Sequence, residues 1–354
     1  MRILFGIQGT GNGHISRSRT LVLALKQCGA EVDCIFSGRH AEAYFDMEAF
    51  GEYRIFPGVS FATQNGRVNL PRTVQNIQAL RLIKDVKELD LSEYDCIISD
   101  FEPISAWAAK HQLLDCIGIS NQAVCHYIHP KEYGLIARTI MKYYAPVTQS
   151  VGLHWFHFGA PIIPPIIDAL NKTDEDGSIV VYLPFESIDH IKLLLAPFKD
   201  YQFKCFHPDI TQSSYSDNIN WQSLSRTVFT QSLSTASGII TNTGFALISE
   251  ALVLGKKILT KPVKGQFEQL YNASCLSKLG LATIMPTLDI NTVRQWLTQP
   301  LPTPIIYPDV AKTLAEWIMN GQKDDLSTLS HRLWQQVKYP YHVKQKIRTL
   351  GYTL

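Results

Sequence analysis

What most constrains this chain is an alternation that occurs twice: short runs of β-branched and apolar residues, each followed by a longer stretch with apolar residues at helical spacing. Such a succession builds parallel sheets covered on both faces, because parallel neighbours need a crossover long enough to hold a helix. In the first half, strand candidates fall at 3–7, 32–36, 53–56, 96–99 and 116–119, with helices at 16–25 and 73–87, the second striped by Ile77, Leu80 and Ile83. The pattern breaks at Gly159-Ala160-Pro161-Ile162-Ile163-Pro164-Pro165 and in the polar run 171–177, both rich in residues that end regular structure. It then restarts, with strands expected at 179–183, 202–206, 239–241 and 257–260 and helices at 188–195, 245–254 and 267–279. Two further helical stretches follow from Val310, the second at 326–348 with a basic end, Lys344-Gln345-Lys346-Ile347-Arg348. The expected fold is α/β: two doubly wound, Rossmann-like domains facing a cleft. Their bounds are 1–158 and 178–325, joined by a linker at 159–177, with a helical tail at 326–354 that is a candidate for packing on the first domain. A length of 354 residues suits two such domains.

Composition excludes more than it nominates. With 45% hydrophobic and 18% charged residues and a formal charge of +2, the chain is neither disordered nor built to coat nucleic acid. Its seven cysteines are scattered without a C-x-x-C pair, as expected of reduced thiols in a cytoplasmic protein. No apolar run reaches membrane-spanning length, and the opening Met1-Arg2-Ile3-Leu4-Phe5-Gly6-Ile7 suits a first buried strand better than a signal peptide.

Sheets of this class bind ligands outside the carboxyl ends of their strands, so chemistry belongs on strand-to-helix loops. The first such loop is Gly9-Thr10-Gly11-Asn12-Gly13-His14. Glycines there let backbone amides approach a ligand at a helix N-terminus, but the third glycine of a dinucleotide fingerprint is replaced by His14. An imidazole at that tip can take a proton from a hydroxyl if a carboxylate orients it. Asp100, in Ser99-Asp100-Phe101-Glu102-Pro103, ends a strand of the same sheet and is the candidate. His14 and Asp100 would equally serve as loop and helix caps.

A second cluster runs Thr241-Asn242-Thr243-Gly244 into a helix carrying Ser249, Glu250 and Gly255, where a turn offers amides to a diphosphate and Glu250 can accept ribose hydroxyls or simply face solvent. The third, Gly265-Gln266-Phe267-Glu268-Gln269 followed by Asn272, sets an acid beside an amide at a helix start. That pairing suits vicinal sugar hydroxyls, and also suits ordinary N-terminal charge preference.

Together these motifs resemble the donor half of the GT-B glycosyltransferases, the group holding the peptidoglycan-precursor N-acetylglucosaminyltransferase and the glucuronosyltransferases. The start Gly11-x-Gly13-His14-x-x-Arg17 and the stretch Ile98 to Pro103 are most similar to a little-characterised prokaryotic branch, over most of the chain to about Gly280. The resemblance implies transfer of a hexose-type sugar from a nucleotide diphosphate donor, with UDP favoured, to an acceptor hydroxyl. It assigns Thr243 and Gly244 to the diphosphate, Glu250 to the ribose, and Glu268 and Gln269 to the sugar. His14 becomes the base and Asp100 its orienting acid, while Gly11, Asn12, Gly13, Arg17 and Glu102 fall to the acceptor side or the loop. Where relatives have a Gly-Gly-Ser-type loop, this chain has Leu183-Pro184-Phe185-Glu186-Ser187, so only Ser187 carries over. Glu268 stands where several relatives have Gln or Asp.

The expected reaction is inverting and needs neither cofactor nor metal. Asp174-Glu175-Asp176 has the D-x-D form of a metal site, but lies in the linker. The histidine pairs His126/His129 and His154/His157 share no ligand spacing with cysteine or acid. The acceptor is a glycan, lipid or small molecule, with cell-envelope glycan the context the relatives suggest, and nucleic acid is not an expected partner. Trp107, Tyr127, Tyr133, Tyr143 and Tyr144, with Arg138 and Lys142, suit either core and ordinary surface or a lipid-facing patch on an enzyme peripheral to the inner face of the membrane. A nucleotide-sugar 2-epimerase of the same fold, or a non-enzymatic nucleotide-sugar binder, would share the donor motifs; the binder would have no use for His14.

Overall fold

The computed structural model of the chain describes residues 1–59, 63–64, 67–68, 79–128, 134–168 and 173–353. From the N-terminus it forms β1 (Arg2–Gln8), α1 (Asn12–Gln27), β2 (Glu31–Ser37), β3 (Tyr53–Phe56) and a short hairpin of β4 (Thr63–Gln64) and β5 (Arg67–Val68). There follow α2 (Ala79–Glu88), β6 (Cys96–Asp100), α3 (Pro103–His111), β7 (Ile117–Ser120), α4 (Leu135–Tyr143) and β8 (Gln149–Gly152). The second series is β9 (Ile179–Tyr182), α5 (Ile188–Leu195), β10 (Phe203–Phe206), β11 (Ser214–Ser216), β12 (Ile219–Gln222), α6 (Arg226–Thr235) and β13 (Gly238–Asn242). It continues through α7 (Phe245–Leu254), β14 (Lys257–Lys261), α8 (Phe267–Leu279), β15 (Thr283–Ile284), α9 (Ile290–Leu297), α10 (Val310–Met319), α11 (Leu326–Trp334) and α12 (Tyr341–Thr349).

Two compact units result. The first comprises 1–62, 69–168 and 307–337, the second 63–68, 169–306 and 338–354. In the first, a parallel sheet runs β3-β2-β1-β6-β7-β8. Its central strand β1 is covered on both faces: Ile3, Leu4, Phe5 and Ile7 are all buried, so the run is continuously apolar rather than alternating. Ile7 pairs with Asp100 in the register of β1 and β6, which brings the loop after β1 beside the end of β6. On α2, Leu82 and Val86 pack on the core while Leu80 and Ile83 of the expected stripe face outward. The rest of that expected helix, 73–78, lies outside the described residues.

The second unit is a seven-stranded sheet, β11-β12-β10-β9-β13-β14-β15, parallel except for the edge strand β11. Phe203, Trp221, Ile240, Leu259 and Trp296 pack in its core, with Ile191 and Leu195 of α5.

The helix expected over 326–348 is two. Lys338 exchanges backbone hydrogen bonds with Ile306, and Pro340 disfavours helical backbone in the residue before it, so α11 ends and α12 starts anew after Pro340. In the linker region, Asp176 accepts from Lys204 Nζ at 2.6 Å and Glu175 lies 3.4 Å from Lys256 Nζ, so the D-x-D run is engaged in ion pairs. No disulfide joins the seven cysteines. Among the described residues, no helix is long and apolar enough to cross a membrane.

Candidate functional site

In the first unit the carboxyl ends of β1, β6 and β7 gather a polar cluster at the head of α1. Gly9 makes the approach possible: its N–H donates to Ser37 O at 2.7 Å, and a Cβ there would stand 2.0 Å from the Tyr44 hydroxyl oxygen. The chain then turns into α1 at Gly11, and His14 and Arg17, one turn apart, project from the same helix face. Gly11 itself is less constrained, since an added Cβ would meet only the His14 ring, at 3.7 Å. Asn12 accepts from Arg39 at 2.9 Å, and Gly13 is a residue of the first helical turn.

Asp100 is the centre of the cluster. Its side chain is buried; Oδ2 accepts from Arg17 Nε at 2.7 Å and from the Ser18 hydroxyl at 3.0 Å, and Oδ1 accepts from the other arm of the Arg17 fork and lies 2.8 Å from His14 Nδ1. Burial alone would push this carboxyl up, but the Arg17 guanidinium and His14 outweigh it and hold it at about 2, so it is charged at neutral pH. Arg17 is fixed in turn by Asn121 Oδ1 at 2.9 Å and Gln122 Oε1 at 3.4 Å.

The carboxylate and the guanidinium both meet the imidazole at Nδ1. An ionised carboxylate only accepts, so in the tautomer whose Nδ1–H donates to Asp100, Nε2 is the acceptor. Arg17 also lies 2.7 Å from Nδ1, but that atom's charge-assisted partner is the carboxylate. Gln122 Nε2 lies 3.4 Å from His14 Nε2, the arrangement of a donor facing a lone pair. The next residue, Phe101, adopts φ +52°, a left-handed conformation uncommon away from glycine, and its ring stacks on Tyr144 at 4.8 Å. A small cavity opens beside Gln122, lined also by Phe101, Ser120, His126 and Met141.

Glu102, assigned to the acceptor side or the loop, is wholly buried in the loop after β6 and caps α3, accepting from the N–H groups of Ile104 at 2.8 Å and Ser105 at 2.7 Å and from the Ser37 hydroxyl at 2.6 Å. Of the aromatic group, Tyr144 turns inward to donate to Val59 O, Tyr127 donates to Ser150 O and Trp107 is half-buried, leaving Tyr143 exposed beside Lys142. Tyr133, His129 and the side chain of Arg138 lie outside what is described.

In the second unit the motifs meet at the carboxyl ends of β13 and β14. Thr243 is completely buried: its N–H donates to Gln269 Oε1 at 3.1 Å, its carbonyl accepts from Asn272 at 3.1 Å and its hydroxyl accepts from Thr260 at 2.9 Å. Gln269 Oε1 also accepts from Val263 N–H at 2.9 Å, so one amide oxygen ties together the loops that precede α7 and α8. Thr243 and the Gln269 oxygen therefore hold the backbone in place; what remains of Gln269 for a ligand is its Nε2 end, a donor. Gly244 is the N-cap of α7 and supplies no side-chain cap, so the first-turn amides of α7 have no side-chain acceptor at that position. Glu250 is half-buried in the second turn of α7, and Glu268 half-buried in the first turn of α8. Ser187 is exposed and caps α5, accepting from His190 N–H at 3.3 Å.

Sequence reasoning missed Ser18, Asn121 and Gln122 in the first unit, and Asn272 as a partner of Thr243 in the second. Asn121 and Gln122 stand at the end of β7 with no motif around them, and the sole signal was their position at a strand end.

Comparison with known proteins gives the following. The family described as Glycosyl transferase family 1 matches residues 1–302. No curated protein matches the sequence. Among solved structures, the Arabidopsis thaliana protein UGT89C1 complexed with quercetin superposes with a TM-score of 0.59 at 12% identity, over 99% of this chain and 98% of that one; the same protein has also been solved complexed with UDP. The Streptomyces sp. SF2575 glycosyltransferase SsfS6, complexed with thymidine diphosphate, gives 0.57 at 11% identity over 99% and 100%. The calicheamicin glycosyltransferase CalG4 gives 0.54 at 13% over 99% of each chain. At these identities the likeness is one of fold, and the fold is GT-B.

Proposed function

The chain belongs to glycosyl transferase family 1 and is a glycosyltransferase; from that premise we propose that it moves a hexose-type sugar from a UDP-sugar to an acceptor hydroxyl with inversion, without a metal. The observation that carries the reading is the buried, charged Asp100 held against His14 Nδ1, which leaves Nε2 as the proton acceptor. In this mechanism the acceptor hydroxyl gives its proton to Nε2 as its oxygen attacks the anomeric carbon from the face opposite the leaving group. The bond from that carbon to the diphosphate oxygen breaks, and the nucleoside diphosphate departs with the electron pair. Arg17 keeps Asp100 ionised, so the carboxylate stabilises the imidazolium that forms without itself taking the proton.

The acceptor then belongs to the first unit and the donor to the second, whose sheet and motifs fall within 169–306. Support for the donor side comes from the first-turn amides of α7 after Gly244, which with the helix dipole suit a diphosphate. Glu250 would hold the ribose and Glu268, with the Gln269 amide group, the sugar. UGT89C1 with UDP and SsfS6 with thymidine diphosphate favour a pyrimidine nucleotide. Incubation with a panel of labelled nucleotide sugars and glycan, lipid and phenolic acceptors tests the reading. Release of UDP together with a glycosylated product is expected; an epimerised sugar, or binding with no turnover on any acceptor, would replace it.

A further inference from the structure

Resting on the donor reading above, we propose that Lys261, paired at rest with Glu186, is the cation that recognises the diphosphate of the donor. The topology singles out the place. From β9 the chain crosses by way of α5 to β10 on one side, and from β13 by way of α7 to β14 on the other, so the connections diverge between β9 and β13. Crevices of this kind, outside the carboxyl ends of such strands, are where parallel sheets take ligands. Lys261 is the last residue of β14 and Glu186 lies in the turn after β9; their strands flank β13 on either side, and Nζ meets Oε1 at 2.6 Å across its end.

Both residues are buried, Lys261 at 8% exposure and Glu186 at 9%. A buried ion pair contributes little that apolar residues of the same size would not, since desolvation offsets its attraction. As a mere strut between two loops it is therefore a poor choice, whereas at a ligand's entry its charge has a use. Glu186 Oε1 is the one partner of the ammonium among the described residues, which leaves two of its three donors for a ligand. Next to it, Asn242 donates to the Lys261 carbonyl at 2.9 Å while its own Oδ1 is buried with no partner among the described residues, an acceptor that a bound hydroxyl would satisfy. His207, buried, bonds the Glu186 carbonyl at 3.0 Å and fixes the turn. Gly244, which opens α7, lies two residues beyond Asn242, so the ammonium and the first-turn amides of α7 serve the same loop.

The test compares UDP with uridine by calorimetry, because only the diphosphate should feel Lys261. Lys261→Gln should weaken UDP about tenfold or more and leave uridine within about twofold. Glu186→Gln removes the competing anion and should tighten UDP severalfold, with uridine again unchanged. Since either single change can unsettle the fold, the double variant Glu186→Leu/Lys261→Met supplies a control: a melting temperature close to wild type together with loss of the preference for UDP over uridine. An unchanged UDP-to-uridine ratio in Lys261→Gln, or a Glu186→Gln that loses UDP as Lys261→Gln does, would make the pair a structural strut. Failure of the wild-type protein to bind UDP, TDP or any other nucleoside diphosphate is a separate outcome, which overturns the donor reading and this assignment with it.

Discussion

A histidine serves as a base only when its other nitrogen is held, and at His14 the holding group is a carboxylate that cannot itself be protonated near neutrality. Asp100 stays ionised down to about pH 2 because the attraction of Arg17 and His14 exceeds the cost of burying its charge. The acidic limb of any pH–rate profile between pH 4 and 8 therefore belongs to another group. His14→Ala should lower turnover about a hundredfold or more while leaving UDP affinity unchanged. Asp100→Asn should act in the same direction, and in the double variant the losses should not add, since in the proposed mechanism both residues serve one proton transfer. Steady-state kinetics with calorimetry on the same variants checks all three; near-normal turnover in His14→Ala would remove it from the mechanism. His14 and Asp100 were legible in the sequence because a loop tip and a strand end of one parallel sheet must converge. Glu102 was not: an acid before proline at a helix start suits a ligand site and a helix cap alike, and only the Ser37, Ile104 and Ser105 contacts decide for the cap.

Between elements, the organising contact of the second unit is one side-chain oxygen. Gln269 Oε1 accepts from the N–H groups of Thr243 and Val263, joining the loops before α7 and α8. Gln269→Leu would leave both donors buried without an acceptor, which costs about 1–3 kcal/mol for each group and so roughly 2–6 kcal/mol together. Chemical denaturation measures it, and Gln269→Glu, which keeps the acceptor, should recover most of the loss. A full-stability Gln269→Leu would mean that the loops are held by something else. Helices whose buried faces repeat regularly and whose ends carry caps, such as α5, α7 and α8, were legible to the residue. The break between α11 and α12 was missed although Pro340 marks it locally; the pairing of Lys338 with Ile306, 32 residues away, is the part that no local pattern reports. Short edge strands such as β11 and β15 escaped for a related reason, since their few residues are defined by their neighbours in the sheet.

At the scale of the whole molecule, the candidate base and the donor motifs belong to different units, His14 to the first and Glu250 to the second. Their effects should separate accordingly. On the proposed donor reading, Glu250→Ala removes a charged acceptor for the ribose hydroxyls, and UDP affinity should fall about tenfold or more, with uridine affected equally because the loss is at the ribose. Affinity equal to wild type in a folded variant would put the nucleotide elsewhere. The last expectation concerns how the leaving group's charge is balanced. A departing diphosphate needs positive potential, and a metal is the usual source where carboxylates cluster. Here, in the one acidic run with a metal-site form, Asp176 is bonded to Lys204 and the middle residue Glu175 to Lys256. In the proposed mechanism the positive potential comes instead from the N-terminal turn of α7, whose cap Gly244 contributes no side-chain acceptor, and from the ammonium of Lys261. Turnover should accordingly persist at full rate after exhaustive treatment with EDTA, measured as UDP release under otherwise identical conditions. Loss of activity that Mg²⁺ or Mn²⁺ restored would show that the protein's own positive groups are not enough, and the leaving-group site would have to be redrawn around a cation.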